Sequence, residues 1–300
     1  KEASNAFISL FTIVLSGTWA TIEQRLDVID RLLHAEESTQ RSLGLAALEQ
    51  VLKTAHFSSG HRFEFGARTR DYGYRPNTYA DETRWYQAAM ALIERLAITQ
   101  GICGGELRCL LARSFRGLWT RQCTLNELER LSLSFSTEGF WREGWLACRE
   151  TMRFNKDHLT PESLSRLSAL EARLRPSSLQ DRVRAVVLGN GLAVPDPEAI
   201  DFTEDDSGDY EQLEGIARGL GEAVAGDDRA FNNLLADLFQ GGRRAWAFGQ
   251  GLANASSDRR VAWAKLVEGL NRAPSGERDI QVLRGFLAEL WEQDRDLAND

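Results

Sequence analysis

The sequence predicts an all-α protein of irregular helical hairpins stacked as an α-solenoid, with one ordered non-helical loop near residues 57–80. Apolar residues recur at helical spacing through almost the whole chain, which is the main signal for amphipathic helices. Only six prolines occur in 300 residues, so long segments are free to be helical. No stretch alternates apolar and polar residues over five or more positions, so sheet is expected to be absent or minor.

Helical periodicity appears first after the N-terminal apolar run, where the apolar face comprises Ile22, Leu26, Ile29, Leu32 and Leu33. The intervening residues Glu23, Gln24, Arg25, Asp27 and Arg31 are predicted to form the polar face. The same pattern predicts helices at roughly 21–35, 40–56, 81–99, 104–119, 124–134, 138–154, 161–174, 178–188, 209–224, 227–239, 243–254, 258–270 and 278–293.

Helix start and stop signals support several of these boundaries. Thr160 stands before a proline at the first helical position, a favourable start. Asp81 and Asp227 precede helical runs, and Thr124 with Glu127 has the spacing of a capping box. The predicted stops are Gly60, Gly189, Gly241 with Gly242, and Pro274 with Gly276.

Short connections between these helices predict antiparallel hairpins, because a short link cannot reach the far end of a helix. The pairs recur loosely, at roughly 35 to 45 residues, and resemble irregular HEAT repeats more than a tetratricopeptide array. The predicted organisation is a helical repeat region at 1–190, an acidic linker at 191–208 and a second repeat region at 209–300, unless the two form one continuous solenoid. A compact two-lobed bundle with a break near 189–209 is the rival architecture.

The most apolar run, Ala6–Ala20, is 15 residues long and falls short of the length that crosses a bilayer. A single Lys1 beside Glu2 is a poor start for a signal peptide, so we expect a buried helix rather than a signal or anchor remnant. The chain begins without Met, which favours a piece of a longer protein. No membrane association is expected.

Charge is distributed unevenly along a chain whose net charge is −8. Residues 196–240 carry 13 acidic side chains against Arg218 and Arg229, whereas residues 60–122 carry 10 arginines against 6 acids. The acidic segment argues against a nucleic-acid channel along the full length, since phosphate binding needs a continuous basic track. A local basic patch at 62–121 keeps nucleic-acid binding open as an alternative.

The polar residues that usually form metal, cofactor or catalytic sites do not assemble into a motif. Cysteines 103, 109, 123 and 148 have no zinc or redox spacing and are expected to be free thiols in a reducing cytoplasm. Gly219 with Gly221, and Gly249 with Gly251, are interpreted as small residues at tight helix crossings rather than a dinucleotide fingerprint. We expect no metal and no cofactor.

The segment His56–Pro76, which contains FEFGARTRDYGYRP, interrupts the helical pattern with glycines, arginines and aromatics. Phe63 and Phe65 could form a satellite core beneath the loop, or the segment could be a short hairpin turning at Gly66. A third interpretation is recognition, because arginine and tyrosine concentrate at interaction hot spots. The candidate partner-binding residues are Arg68, Arg70, Asp71, Tyr72, Tyr74 and Arg75, with Arg68, Tyr72, Tyr74 and Arg75 expected at exposed tips.

Three segments carry a resemblance to a known class of proteins. HRFEFGARTRDYGYRP with the following helix, AFGQGLANASSDRRVAWAKLVEGL and DIQVLRGFLAELWE are similar to helical repeat regions of large bacterial multidomain ATPases, including STAND-type anti-phage proteins. The similarity spans about a quarter of the chain. It implies a sensor or scaffold that recognises a protein and is joined to an ATPase and effector outside these residues, since no GxxxxGK[ST] motif occurs here.

These observations predict a non-enzymatic protein-interaction scaffold or sensor module. Stacked helices present extended surfaces, and no acid, base and nucleophile are grouped in the sequence. One alternative is a nucleic-acid-binding repeat that uses the 62–121 region. Another is a hydrolase or nuclease whose carboxylates, such as Glu64, Asp71 and Asp81, converge only in the folded chain.

Overall fold

The computed structural model describes residues 2–57, 72–98, 103–188, 206–274 and 278–299. Within those ranges the chain forms helices and connecting segments without β-strand. The α-helices are α1 (Glu2–Ser9), α2 (Ile22–Leu33), α3 (Ser38–Val51), α4 (Tyr79–Ile98), α5 (Gly104–Trp119), α6 (Leu125–Thr137), α7 (Arg142–Asn155), α8 (Pro161–Leu174), α9 (Leu179–Val186), α10 (Asp206–Ala225), α11 (Asp228–Leu234), α12 (Ala245–Ala255), α13 (Arg259–Arg272), α14 (Gln281–Gln293) and α15 (Arg295–Asn299).

The all-α prediction is confirmed. Each of the predicted helical segments overlaps one of the helices α2 to α14, in order along the chain. Helix α15 was not predicted, α1 overlaps only the start of the helix predicted for Ala6–Ala20, and α11 ends at Leu234, well short of its predicted end. Two predicted caps are also confirmed, because the Thr160 hydroxyl accepts from Ser163 N and the Asp227 carboxylate accepts from Ala230 N.

Two other predicted caps are wrong. The first helical turn of α4 is capped by Thr78, whose hydroxyl accepts from Asp81 N, while the Asp81 carboxylate accepts from Thr78 N. Asp81 is therefore the third helical residue of a reciprocal capping box rather than the residue before the helix. The Thr124 hydroxyl donates to Arg121 O at 2.7 Å in the preceding turn, and it makes no capping hydrogen bond to α6.

The N-terminal apolar run is buried in part, but the prediction that it is a single helix is wrong. Helix α1 ends at Ser9, and Phe11, Thr12 and Ile13 are buried in an irregular segment that follows. Leu15 adopts a φ of 59°, which a helix does not allow. The carbonyl of Thr12 accepts from the Arg25 guanidinium at 2.6 Å, so a side chain has replaced the helical partner of this carbonyl. No described helix is long and apolar enough to cross a bilayer.

The described residues divide into two compact units, Lys1–Leu174 and Arg175–Asp300. In the first unit the helices contact each other in two alternating series. Helices α1, α3, α5 and α7 contact one another in order, as do α2, α4, α6 and α8. The core between them contains fully buried aromatic side chains, among them Trp85, Trp119 and Trp145. Large aromatic residues dominate burial energetics, so these tryptophans are expected to contribute strongly to stability.

The second unit is built around the consecutive contacts of α10 with α12 and of α12 with α14. These helices approach at glycines: a Cβ on Gly251 would overlap the carbonyl of Arg218, and one on Gly285 would overlap that of Trp246. Gly221 and Gly249 are equally tight, which confirms the interpretation of both as crossing residues. That interpretation is wrong for Gly219, because a Cβ there would meet nothing within 4 Å.

The division between the units precedes α9, so Leu179–Val186 belongs to the second unit rather than to the predicted first repeat region. Residues 191–205 of the predicted acidic linker lie outside the described part of the chain. Residues 206–208 of that linker begin α10, which starts earlier than the sequence pattern indicated.

Candidate interaction surface

Arg25 organises the region that contains the predicted loop. It was assigned to the polar face of α2, but only 3% of it is exposed, so that assignment is wrong. Its Nε donates to Ala20 O at 3.0 Å and its Nη1 to Thr12 O at 2.6 Å. Its Nη2 donates to Ser16 Oγ at 3.0 Å and Thr18 O at 3.3 Å. One guanidinium therefore holds the whole segment from Thr12 to Ala20 against α2.

Two aromatic rings complete the surroundings of this guanidinium. Its central carbon lies 4.9 Å from the centre of the Trp85 ring and 5.9 Å from that of Tyr74. The two rings stack on each other, with centres 5.7 Å apart and planes inclined by 14°. Burial lowers the pKa of Arg25 to about 10, which leaves it a cation at neutral pH and suited to a cation–π contact.

A short backbone pairing joins the N-terminal segment to the chain that precedes α4. Gly17 N donates to Tyr72 O at 3.0 Å, and Tyr74 N donates to Thr18 O at 2.8 Å. Gly73 lies between these bonds with a φ of 73°, and a Cβ there would overlap the backbone of Thr18. Only glycine fits this close approach in a left-handed conformation. The backbone on either side of Gly73 is thus fixed to the N-terminal segment.

Helix α4 anchors the same region to the core. The indole Nε1 of Trp85 donates to Val51 O at 2.9 Å, and the Tyr86 hydroxyl donates to Lys53 O at 2.8 Å. Both acceptors lie at the carboxyl end of α3, where carbonyls lack helical partners. Burial raises the pKa of Tyr86, so its hydroxyl remains a donor at neutral pH.

Exposed aromatic side chains occur on the segments held by this framework. Trp19 is 69% exposed, Tyr72 is 48% exposed and Tyr79, the first residue of α4, is 61% exposed. Arg75 is exposed as well. We call Trp19, Tyr72, Arg75 and Tyr79 the aromatic surface. Tyrosine, tryptophan and arginine are the residue types enriched at protein-binding hot spots.

The predicted partner-binding residues fall into three groups. Tyr72 and Arg75 are exposed, as expected of recognition residues. The prediction that Tyr74 is an exposed tip is wrong, because its ring is partly buried in the stack with Trp85. Arg68, Arg70 and Asp71 lie outside the described residues, as do Phe63, Phe65 and Gly66. Partner binding by any of the six stays a prediction.

Sequence reasoning missed Trp19, Arg25 and Tyr79. Trp19 follows a Ser-Gly-Thr turn signal and could have been separated from the apolar run on that ground. Arg25 lies three residues after Ile22 and four before Ile29, which is the spacing of the buried face. Tyr79 directly follows the Thr78 cap, so it begins the helix at an exposed position.

Of the seven described arginines of the predicted basic patch, four are paired with carboxylates. Arg84 pairs with Glu23 at 2.7 Å, Arg95 with Asp30 at 2.9 Å and Arg121 with Glu82 at 3.4 Å. Arg108 pairs with Glu138. A protein binds nucleic acid when its unpaired cationic side chains neutralise phosphates and release the counterions held there. These arginines are already paired with carboxylates, so they give little support to a nucleic-acid surface.

The remaining candidate reactive groups are the cysteines and the carboxylates of the hydrolase alternative. The cysteines are free thiols, and burial raises the pKa of each, which disfavours the reactive thiolate. Across the described ranges, no three His, Cys, Asp or Glu side chains could together hold a metal ion. The hydrogen bond from Thr78 lowers the pKa of Asp81, which suits a helix cap rather than a general base. Glu64 and Asp71 lie outside the described residues.

Comparisons with protein-family models, with curated proteins and with solved structures found no match to this chain.

Proposed function

We propose that this chain is a non-enzymatic protein-interaction scaffold or sensor, in which the first unit is a short α-solenoid of HEAT-like helix pairs. The alternating contacts of α1, α3, α5 and α7, and of α2, α4, α6 and α8, support this reading. In a solenoid each helix pair contacts the next pair, which produces two such series. Its setting as the sensor region of a bacterial anti-phage ATPase rests on the resemblance of three segments, and its cytoplasmic location rests on the four free thiols.

The observation that carries the proposal is the aromatic surface on a fixed framework. Tyr72 is attached through its backbone carbonyl to Gly17 N, and Tyr79 begins a helix whose Trp85 is fully buried. Exposed aromatic side chains on a preorganised backbone lose little conformational freedom on binding, so more of their contact energy appears as affinity. We assign the partner-binding role to this surface.

The experiment is a paired melt and capture assay on Tyr72→Ala combined with Arg75→Ala. Exposed substitutions usually change stability by less than about 0.5 kcal/mol, so the melting curve should stay close to that of the wild type. Capture of the native partner from source cells should fall at least about tenfold, as expected when hot-spot residues are removed. Val28→Ala combined with Arg31→Ala, an exposed apolar and arginine pair on α2, is the matched control.

The control should capture the partner at the wild-type level. Full capture by the Tyr72 and Arg75 double variant, with a normal melt, would contradict the assignment and direct attention to the helix faces. Early unfolding of the same variant would equally contradict it, because both residues would then be structural.

A second candidate, nucleic-acid binding, is favoured by one patch on the first unit. Phe154 is 54% exposed, and the guanidinium carbons of Arg116 and Arg153 lie 5.1 Å and 5.4 Å from the centre of its ring. Arg116 donates to the neutral Asn155 side chain rather than to a carboxylate. Aromatic rings beside arginines bind single strands by stacking and phosphate contact. Binding that weakens steeply with salt and is lost in Phe154→Ala would support this candidate over the first.

A further inference from the structure

A cleft of about 440 Å³ lies in the second unit between α13, α14 and α15. It is lined by Arg259, Arg260, Trp263, Leu287, Leu290, Leu297 and Ala298. Its volume falls in the range of small-molecule sites, which are mostly apolar with a few polar groups that fix orientation. The lining has this character, with apolar residues from all three helices and two arginines, Arg259 and Arg260, from α13.

Arg259 is oriented by neutral oxygens. Its Nε donates to Ala253 O at 3.1 Å, and its Nη2 donates to the Gln293 side-chain oxygen. A guanidinium has five N–H donors, so three of those on Arg259 remain without a partner among the described residues. No carboxylate pairs with it there, in contrast to Arg84, Arg95 and Arg121. Arg259 is thus a held cation with unused donors at the wall of an apolar cleft.

Guanidinium groups bind carboxylates through paired, charge-assisted hydrogen bonds. An apolar cleft beside such a group is complementary to a molecule with an apolar body and one carboxylate. Leu290 is 3% exposed and Leu287 is 38% exposed, so the cleft offers both a deep and an accessible apolar wall. The apolar body of a ligand would cover these side chains and remove them from water.

The surrounding charges favour a small ligand over an acidic peptide. The segment after the cleft wall carries three exposed acids, Glu292, Asp294 and Asp296, and one exposed arginine, Arg295, whose guanidinium lies over the Trp291 ring. An extended acidic peptide would lie beside these carboxylates and be repelled by them. A small ligand whose one carboxylate binds Arg259 would not extend to them. The occupant with the best charge complementarity is therefore a compact monocarboxylate.

We propose that the cleft between α13, α14 and α15 binds a small apolar monocarboxylate, with the carboxylate on Arg259 and the apolar body against Trp263, Leu287 and Leu290. This site lies in the second unit and is independent of the proposed protein-binding role. It gives the chain a means to respond to an amphiphilic metabolite.

The test is calorimetric titration of the full chain with decanoate, kept below the concentration at which decanoate aggregates. Decan-1-ol, which has the same chain and no charge, is the matched ligand. Decanoate should bind one site at least about tenfold more tightly than the alcohol, because charge-assisted hydrogen bonds are worth that much or more. Affinity should rise with chain length, approaching about fourfold per methylene where the chain is fully buried.

Three variants separate the site from general apolar binding. Arg259→Gln removes the cation and should weaken decanoate binding at least about tenfold, while Arg272→Gln, an exposed arginine on the same helix, should leave it unchanged. If Arg259→Gln melts early, Leu287→Glu decides, since it places a like charge in the cleft at an exposed position. Absence of saturable binding, equal affinity for the alcohol, or full binding by Leu287→Glu would overturn the proposal.

Discussion

At the scale of single residues, Arg25 has the most unusual setting. Buried cations are costly unless they are paired and hydrogen-bonded. No carboxylate among the described residues pairs with Arg25, yet it donates to Thr12, Ser16, Thr18 and Ala20 oxygens and lies over the Trp85 ring. The guanidinium acts as a cross-link between α2 and the segment before it, in place of an ion pair.

Replacing this group should be strongly destabilising. Arg25→Met keeps the apolar stem but leaves buried carbonyls without a donor, so we expect a loss on the order of 3 kcal/mol in the free energy of unfolding. Urea denaturation measures it, and hydrogen exchange should show earliest loss of protection at residues 12–20. Arg31→Met, at a position where the side chain is 77% exposed, should change stability by less than about 0.5 kcal/mol. Equal effects of the two changes would refute the cross-link.

At the scale of elements, an arginine–carboxylate series accompanies the contacts of α2, α4, α6 and α8. Each later helix donates an arginine to the helix before it: Arg84 to Glu23, Arg130 to Glu94 and Arg166 to Glu129. These pairs are partly exposed and screened by solvent, so each contributes little alone. Their repetition suggests that they set the relative register of neighbouring helices.

This series predicts a defined response to acid. The hydrogen bond from Arg130 lowers the pKa of Glu94 below its ordinary value of 4.5. A lowered carboxyl pKa contributes stability above pH 4.5 that is lost as pH falls through the lower, folded-state value. Glu94→Gln should therefore cost about 0.5–1 kcal/mol at pH 7, and the difference from wild type should disappear in stronger acid. A Glu94→Gln deficit that does not change with pH would rule out the ion pair as its cause.

Two glycines of the second unit, one at a helix crossing and one in open space, predict opposite effects of a change to alanine. Gly251→Ala forces α10 and α12 apart and should cost about 1–3 kcal/mol or more, as overpacking does. Gly219→Ala, on an exposed side of α10 with open space around it, should raise stability by about 0.5–1 kcal/mol through helix propensity. Thermal unfolding of the two variants compares them directly. A stabilised Gly251→Ala would contradict the crossing.

Sequence periodicity predicted α2 to α14 because the apolar residues of a buried helix face recur at a fixed local spacing. It failed where a long-range contact changed the role of a residue. Arg25 has the spacing of the buried face, but its charge predicted that it would be exposed. Its burial is stabilised by hydrogen bonds to the segment before α2, including one to Thr12 O, which the local spacing does not reveal. Thr124 has the sequence spacing of a capping box, but its backbone is in the helical region and its hydroxyl makes no bond to α6. The aromatic surface was found in part, since the exposure of Trp19 and Tyr79 depends on neighbours that spacing does not encode.

At the scale of the whole molecule, the two units differ in how their helices are joined. The first has fully buried tryptophans and a repeated arginine–carboxylate series, while the second has ion pairs such as Arg184 with Asp237 and also glycines that bring helix backbones together. We assign the proposed protein-binding role to the aromatic surface of the first unit and the proposed small-carboxylate site to the cleft of the second.

The most direct test of partner binding by the aromatic surface is site-specific photocrosslinking. Tyr79 and Phe154 are comparably exposed, at 61% and 54%, so each accepts p-benzoylphenylalanine without disturbing the core. Our account predicts a crosslinked protein adduct from the reporter at position 79 in source cells, and none from the reporter at position 154. An adduct only from position 154, or none from position 79 while the unlabelled chain still captures its partner, would contradict the assignment of the interaction to Trp19, Tyr72, Arg75 and Tyr79.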